Sequence, residues 1–506
     1  MAKAAQVVSK TVAPASVDFV REELRDMMGQ YELIRDCLTG DQAIKSRGIA
    51  YLPMPEAHDQ SPENIARYDN YRNRAVFYNV TKRTLKGFVG EVFIIKPAVT
   101  VPTLLESVIK DANGSGTPLE QLAQTTEEYV LAYGRAGLFT DYPNQAGRPT
   151  TRRDQMNGNI RPTISLYAPW NIINWRTVTR NSQVDLSLIV LKERYEVYDD
   201  GFAIEYADQY RVLRLVDGLY VQEIWRGSEG VWTVYQKFEP VDAKGKRLEN
   251  IPFTFIGAVN NDPDVDDAPM YDLASLNIAH YRNSADYEES SYMTGQATPV
   301  ITGISQHWYD EVLKGRVEFG SHAAIALPEG GQAALLQMQP NSVPFEAMQH
   351  KERQMVALGA KLVEQKAVQR TATETRADVI SEKSVLTTVT ENVSAGFKFS
   401  LEWCGIFAGT TTVAEDAKRD TIEFTLNTEY DFSTATPEEI KAVVELWQKE
   451  AITFSEMRDQ LRDSGYATLD DKKARAELEK ERARNITENE RNGNNPDDPF
   501  TQDDDE

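Results

Sequence analysis

Cysteine is nearly absent: Cys37 and Cys404 are the only two in 506 residues. Two isolated thiols build no disulfide framework and fit a reducing cytosol. Long apolar runs are missing as well. Nothing approaches the ~18 residues a membrane-spanning helix needs, and the best candidates are broken by charge or glycine. MAKAAQVVSKTVAPAS at the N-terminus has no sustained apolar stretch, so it is not expected to act as a secretory signal. Positive charge is also scarce. The 55 Lys and Arg face 78 Asp and Glu, for a net −23. That argues against a broad basic face gripping nucleic acid, though not against a surface that lets DNA slide past unheld. An acidic excess also keeps a large assembly in solution.

The motifs of catalysis are lacking too. There is no glycine-rich phosphate loop followed by Lys-Ser/Thr, no GxGxxG and no GxSxG. His58, His280, His307, His322 and His350 are scattered, with no i, i+4 pair and no cysteine at metal-ligand spacing. Two acidic loops alternate oxygens as calcium loops do. Counting from Asp111, however, the twelfth position is Leu122, and counting from Asp262 it is Leu273, where a bidentate acid is needed. Both read as solvated turns. No cofactor, no metal and no enzymatic activity are expected.

What is present is a soluble composition, 41% hydrophobic and 26% charged, in a chain with room for roughly three domains. Val17 to Leu38 is amphipathic through Val20, Leu24, Met27 or Met28, Tyr31 and Ile34. Ala66 to Val92 predicts a second long helix, stopped by Pro97. Thr117-Pro118-Leu119-Glu120 reads as a capping box opening a helix through Leu122, Thr126, Val130 and Tyr133 that ends at Gly134. From about Ile164 the period falls to two: Ser187 to Val197 and Tyr210 to Val216 predict strands, Asp217-Gly218 a hairpin turn, and Leu219 to Trp225 and Trp232 to Phe238 further strands. Trp170 and Trp175 read as core, as does Cys404 beside Trp403; Arg83 and Lys86 read as a solvated helix face.

An acidic loop, Asn260 to Asp267, precedes a helix from Tyr271 to Met293. Its few large apolar residues would leave it poorly buried in a monomer and suited to lateral packing against its own copies. Short strands at Thr298–Gly303 and Ala323–Leu327 mark a small module. Helices over Phe345–Val363 and Ala377–Phe407 follow, the second through Val379, Ile380, Leu386, Val389, Val393, Phe397, Leu401 and Phe407. Thr421 to Leu426 predicts a strand. Thr436-Pro437-Glu438-Glu439 and Thr453 with Glu456 open two further helices, the second ending at Gly465. Arg475 to Glu490 reads as a solvated helix, and NGNNPDDPFTQDDDE as disordered. Between the two helices that flank it, Glu364 to Ser384 carries Lys366, Gln369, Arg370, Thr371, Thr373 and Arg376 without a Gly or Pro. A cationic stretch in so acidic a chain needs a reason.

Several segments together resemble the bacteriophage portal proteins, the head–tail connectors. They are Tyr78-Asn79-Val80-Thr81-Lys82-Arg83-Thr84-Leu85-Lys86-Gly87-Phe88-Val89-Gly90, Ala132-Tyr133-Gly134-Arg135-Ala136-Gly137 with Asp141-Tyr142-Pro143, and Ile251-Pro252-Phe253. Leu276-Asn277-Ile278-Ala279-His280-Tyr281-Arg282-Asn283-Ser284-Ala285-Asp286, Gly295-Gln296-Ala297-Thr298-Pro299-Val300-Ile301-Thr302-Gly303 and Thr373-Glu374 complete the set. Each alone is weak; their order and spacing from about Tyr31 to Gly465 carry the resemblance. The match is to a phage branch whose domain is catalogued as of unknown function.

The resemblance implies an α+β, portal-like fold: a wing over residues 1–265, a stem helix in 266–296, a β-containing clip over 297–336, a second stem helix in 337–363 and a tunnel loop over 364–376. The long helix and the wing's return strand would fill 377–435, a helical crown 436–470, and a charged helix with an acidic disordered tail 471–506. It implies a homo-oligomeric ring, usually a dodecamer, at the portal vertex of a capsid in the virion, made in the host bacterial cytoplasm. Double-stranded DNA would pass through the ring without sequence preference, touching phosphates at the cations of 364–376. The clip, with His307, Trp308, Tyr309, Lys314 and Arg316, would meet the terminase large subunit and later a head–tail adaptor. The major capsid and scaffolding proteins would be further partners; a membrane would not. The alternative from another class is a non-ring nucleic-acid-processing or capsid structural factor of a phage.

Overall fold

The computed structural model describes residues 16–142, 161–180, 182–228, 230–296, 298–314, 327–337, 341–363, 384–410, 422–428, 430, 449, 453 and 457. The chain forms two compact units, Met1–Thr428 and Glu429–Glu506. The helices expected after Thr436, the charged helix and the tail fall outside the described residues, apart from single positions. The first unit is α+β, with helices and four separate antiparallel sheets among its described residues.

Helix α1 (Glu22–Thr39) buries Leu24, Tyr31, Ile34 and Cys37 at helical spacing, while Met28 stays exposed. A short α2 (Asp41–Ser46) follows. The single helix expected over Ala66–Val92 is two, α3 (Pro62–Arg74) and α4 (Val80–Val92). Each has its own cap: Asn64 N donates to Ser61 Oγ at 3.3 Å, and Lys82 N to Asn79 Oδ1 at 2.9 Å. Between them Val76 N donates to Ser284 Oγ at 3.0 Å, a tertiary bond that replaces a helical one. Arg83 and Lys86 are exposed, and Lys86 pairs with Glu128.

After β1 (Ala98–Thr100) and α5 (Glu106–Lys110) comes α6 (Leu119–Tyr133), which buries Leu122, Thr126, Val130 and Tyr133. The expected capping box does not form. Pro118 holds the cap position without a side-chain bond, and Thr117 Oγ1 accepts from Asn113 Nδ2 at 3.1 Å instead. Gly134 ends α6 with φ +77, and a Cβ there would lie 2.4 Å from Asp267 O. Both acidic loops spend carboxylates on their own turns. Asp111 accepts from Gly114 N at 2.8 Å and pairs with Arg161, and Asp262 accepts from Asp264 N at 2.8 Å.

Strand β2 (Arg135–Asp141) was not expected from the sequence. It lies between β3 (Thr163–Tyr167) and β9 (Phe253–Gly257). Six of its seven residues are buried. A strand covered on both faces loses the polar alternation that would reveal it. The other large sheet runs β4 (Ile172–Arg180), β5 (Gln183–Asp199), β6 (Ile204–Val216), β7 (Leu219–Ser228) and β8 (Val231–Phe238), each antiparallel to the next. Asp217 and Gly218 turn at φ +52 and +80, as the hairpin signal requires. Trp175 on β4 is buried, and half-buried Trp170 meets Tyr133 edge-on at 5.0 Å; both act as core.

Helix α7 is Tyr271–Gly295, α8 is Val343–Val363 and α9 is Val385–Ala408. Helix α9 begins at Val385 rather than Ala377, because Ser384 is extended and its Oγ accepts from Thr387 N at 3.1 Å. Val379 and Ile380 fall outside the described residues. Leu386, Val389, Val393, Phe397, Leu401, Cys404 and Phe407 are all buried against β2, β9, α6 and β12 (Glu423–Thr425). Strand β12 pairs β1 and stacks Phe424 on Phe397 at 5.0 Å.

Candidate functional site

The lower half of α7 is held by polar side chains. Asn277 Oδ1 accepts from Val80 N at 3.1 Å, Thr81 N at 3.2 Å and Thr81 Oγ1 at 3.0 Å, while its Nδ2 donates to Tyr78 O at 2.8 Å. One fully buried amide thereby satisfies the first donors of α4. Further along, Tyr71 Oη donates to Asp286 at 2.6 Å, Arg74 pairs with Glu289, and Arg74 also stacks over Tyr292 at 4.3 Å. The expectation that α7 is poorly buried in a single copy is corrected for residues 271–285 and stands for 286–295, where no residue is buried. Leu273, Ala274, Asn277, Ile278, His280, Tyr281, Ser284 and Ala285 are buried within the chain. Of its polar residues, Asn277, Ser284, Asp286 and Glu289 are partners of α3, α4 and the segment joining them.

Helix α7 also pairs with α8 along its length. His280 Nε2 lies 3.3 Å from Glu352 Oε1, Tyr287 meets Phe345 at 5.7 Å, and Gln337 Nε2 donates to Thr294 O at 2.9 Å. As one number rises the other falls, so the two helices are antiparallel. Burial pushes the His280 imidazole below its ordinary pKa, against the pull of Glu352. The 25 residues of α7 span about 38 Å at 1.5 Å per residue, so the pair reaches well past its packed root.

At the far end sits a two-stranded module, β10 (Thr298–Thr302) with β11 (Gln332–Leu336), antiparallel from Thr298 with Leu336 to Thr302 with Gln332. The partner strand was expected at Ala323–Leu327; residues 323–326 fall outside the described residues, and β11 supplies the pairing. The module is exposed on both faces, with Leu335 and Leu336 67% and 68% accessible. His307 precedes a π-helical turn, Trp308–Val312, that contains Trp308 and Tyr309. Lys314 follows with φ +51. His307, Tyr309 and Lys314 are exposed and Trp308 is half-buried, which brings these four onto one protruding segment. Arg316 falls outside the described residues.

Helix α8 ends at Val363 and α9 is capped at Ser384, both within the packed unit. Lys366, Gln369, Arg370, Thr371, Thr373 and Arg376, with the rest of 364–383, fall outside the described residues. Helix α9 is fixed by polar contacts as well as by its apolar stripe. Asn392 Nδ2 donates to Gly257 O at 2.9 Å, Leu426 N donates to Ser394 Oγ at 3.0 Å, and Thr390 Oγ1 donates to Glu127 Oε1 at 2.9 Å. Glu127 is fully buried, and burial pushes its carboxyl up to about 8.

The fold joins segments that are distant in sequence. Asn277 ties the Leu276–Asp286 segment to the Tyr78–Gly90 segment. Strands β2 and β9 pair Phe139 with Phe253, and Thr140 N donates to Pro252 O at 2.9 Å, uniting Ala132–Gly137 with Ile251–Phe253. Sequence reasoning found these segments but not their joints. The only signal was the spacing of Asn277, His280 and Ser284, which puts polar groups on the same stripe as Ile278 and Tyr281. Among the described residues no group of three His, Cys, Asp or Glu side chains is placed to hold a metal, and no helix is long and apolar enough to cross a membrane.

A family described as a domain of unknown function (DUF4055) matches residues 269–408. That span runs from the start of α7 through the module and α8 to the end of α9. No curated protein matches the chain. Among solved structures, a chain in the neck of an empty GTA particle, computed with C6 symmetry, is similar at a TM-score of 0.37 and 14% identity, covering 76% of this chain and 90% of that one. A chain from the virion of a native gene transfer agent particle is similar at 0.35 and 13%, covering 75% and 88%.

Proposed function

We propose that the chain is a portal protein. Copies form a ring at one vertex of a phage capsid, DNA enters and leaves through its centre, and the exposed module docks the packaging motor and later a tail adaptor. The observation that supports this most is the arrangement of α7, β10–β11 and α8. Two long antiparallel helices, rooted in an α+β body by Asn277, Tyr71 and Arg74, carry a small module whose β11 is exposed along its whole length. Such a module is of little use to an isolated chain and suits a contact surface. Segment 364–383, between α8 and α9 in sequence, is the tunnel loop in this reading. Its cations would touch phosphates there, while the net charge of −23 keeps DNA from adhering elsewhere. Neither the described geometry nor the sequence supplies a catalytic constellation for the processing-factor reading.

Native mass measurement of the purified chain tests this reading. A single closed oligomer, near twelve copies, is the expected result, and monomer alone at high concentration contradicts it. Deleting Gln306–Gly320 should spare the oligomer and abolish motor docking. Docking that survives the deletion removes the module from the proposal.

A further inference from the structure

The five-stranded sheet is not five strands wide along its whole length. The outermost pair between β4 and β5 is Ile172 with Leu191. The outermost between β6 and β7 is Gln209 with Arg226. Beyond these, from Arg194 with Asp208 out to Asp199 with Ile204, β5 and β6 pair with each other alone. At about 3.4 Å per residue, Arg194–Asp199 carries this ribbon roughly 20 Å past the last pair that β6 makes with β7.

The ribbon ends in a well-tied turn. Asp199 Oδ1 accepts from Gly201 N at 2.7 Å, and Asp200 Oδ1 accepts from Phe202 N at 2.8 Å and Ala203 N at 2.6 Å. Every residue from Glu196 to Tyr206 is exposed, so neither face of this stretch covers a core. Val197, Tyr198, Phe202, Ile204 and Tyr206 nevertheless lie there, with Phe202 wholly accessible at 101%. Glu196, Asp199, Asp200 and Glu205 accompany them, and the stretch has no Lys or Arg. A free two-stranded ribbon is marginal in water. A concentration of exposed aromatic and branched residues on one is the mark of a contact surface.

Charge selects the occupant. Four carboxylates without a cation repel nucleic acid and anionic membranes alike. The ribbon also presents two unpaired backbone edges, which accept an additional strand. We propose that the ribbon is a docking arm for an extended segment of a different protein that alternates basic and apolar residues. The segment adds to a ribbon edge through backbone hydrogen bonds. Added beside β6, its Lys or Arg side chains lie on the face that carries Glu205, and its apolar side chains on the opposite face, with Ile204 and Tyr206.

The test is fluorescence anisotropy on the full chain with two labelled peptides, one alternating Lys and Val and the other alternating Glu and Val. The Lys-Val peptide should bind saturably, more weakly as salt rises, and the Glu-Val peptide should not bind. E196K/E205K should weaken Lys-Val binding at least about ten-fold. A second variant with Asn-Gly in place of Glu196–Tyr206 should abolish it. Lack of saturable binding overturns the proposal. So does equal binding of both peptides, or equal affinity of the variants, which would place the peptide elsewhere on the acidic surface. Sedimentation showing a self-associated species that F202S dissolves would assign the ribbon to a second copy and overturn it too.

Discussion

The amide of Asn277 accepts the Thr81 hydroxyl at 3.0 Å, across 196 positions of sequence. With Val80 N and Thr81 N on the same oxygen, it caps α4 from another helix. Asn277→Ala takes the amide acceptor from the buried Thr81 N and Thr81 Oγ1, while Val80 N keeps Tyr78 O at 2.9 Å. Chemical denaturation should show a loss of about 2–4 kcal/mol. Asn277→Asp keeps the acceptor and loses only the donor to Tyr78 O, so its midpoint should fall between those of wild type and Ala. An Ala variant as stable as wild type would mean that water or a shifted backbone replaces the amide.

Gly134 is required twice over, by its φ of +77 and by Asp267 O, which a Cβ would approach to 2.4 Å. Gly134→Ala should cost about 2 kcal/mol or more, beyond the ~1 kcal/mol of a left-handed alanine alone. The same substitution at Gly218, with φ +80 but open space around it, should cost clearly less. Equal midpoints for the two variants would remove the close approach from the explanation.

Glu127 gives a pH dependence with a definite sign. Its carboxyl is raised from 4.5 to about 8 by burial, with the Thr390 bond opposing. The folded state therefore holds the proton more tightly than the unfolded chain. The stability this confers is fully present below about pH 4.5 and is lost as pH rises through about 8. Glu127→Gln keeps an acceptor for Thr390 and cannot ionise. Its melting temperature relative to wild type should climb between about pH 4.5 and about pH 8 and level off above. A difference that stays constant over that range would contradict the assignment.

On the portal reading, the cations of 364–376 act on DNA and not on folding. Changing Lys366 and Arg370 to Ala should leave assembly and melting nearly unchanged, because exposed substitutions usually cost within about 0.5 kcal/mol. Retention or completion of packaged DNA should change instead, and less so at high salt. Rings that dissociate while packaging stays normal in those that remain would show that the cations hold subunits together.

Much of the fold was legible wherever one face was buried and the other wet. The stripe from Leu386 to Phe407 predicted the buried face of α9, and Asp217-Gly218 predicted its hairpin. Strand β2 was hidden because both its faces are covered. The break between α3 and α4 was hidden because it is held by Ser284, more than two hundred positions away. The order helix, small module, helix was readable at the candidate site. The pairing of β10 with Gln332–Leu336 was not, since five residues as bland as QAALL carry little strand signal. The polar stripe of α7 was misread because its partners are defined only by tertiary structure: a buried Asn and a surface Asn look alike until the donors they face are known.

The central claim is a closed ring around a channel. Electron microscopy of the purified full-length chain tests it most directly. The account predicts end-on views with a central hole and rotational symmetry near twelve-fold, and side views with a protruding narrow end formed by α7, α8 and the β10–β11 module. Compact particles of single-chain size, with no hole in any view, would contradict it.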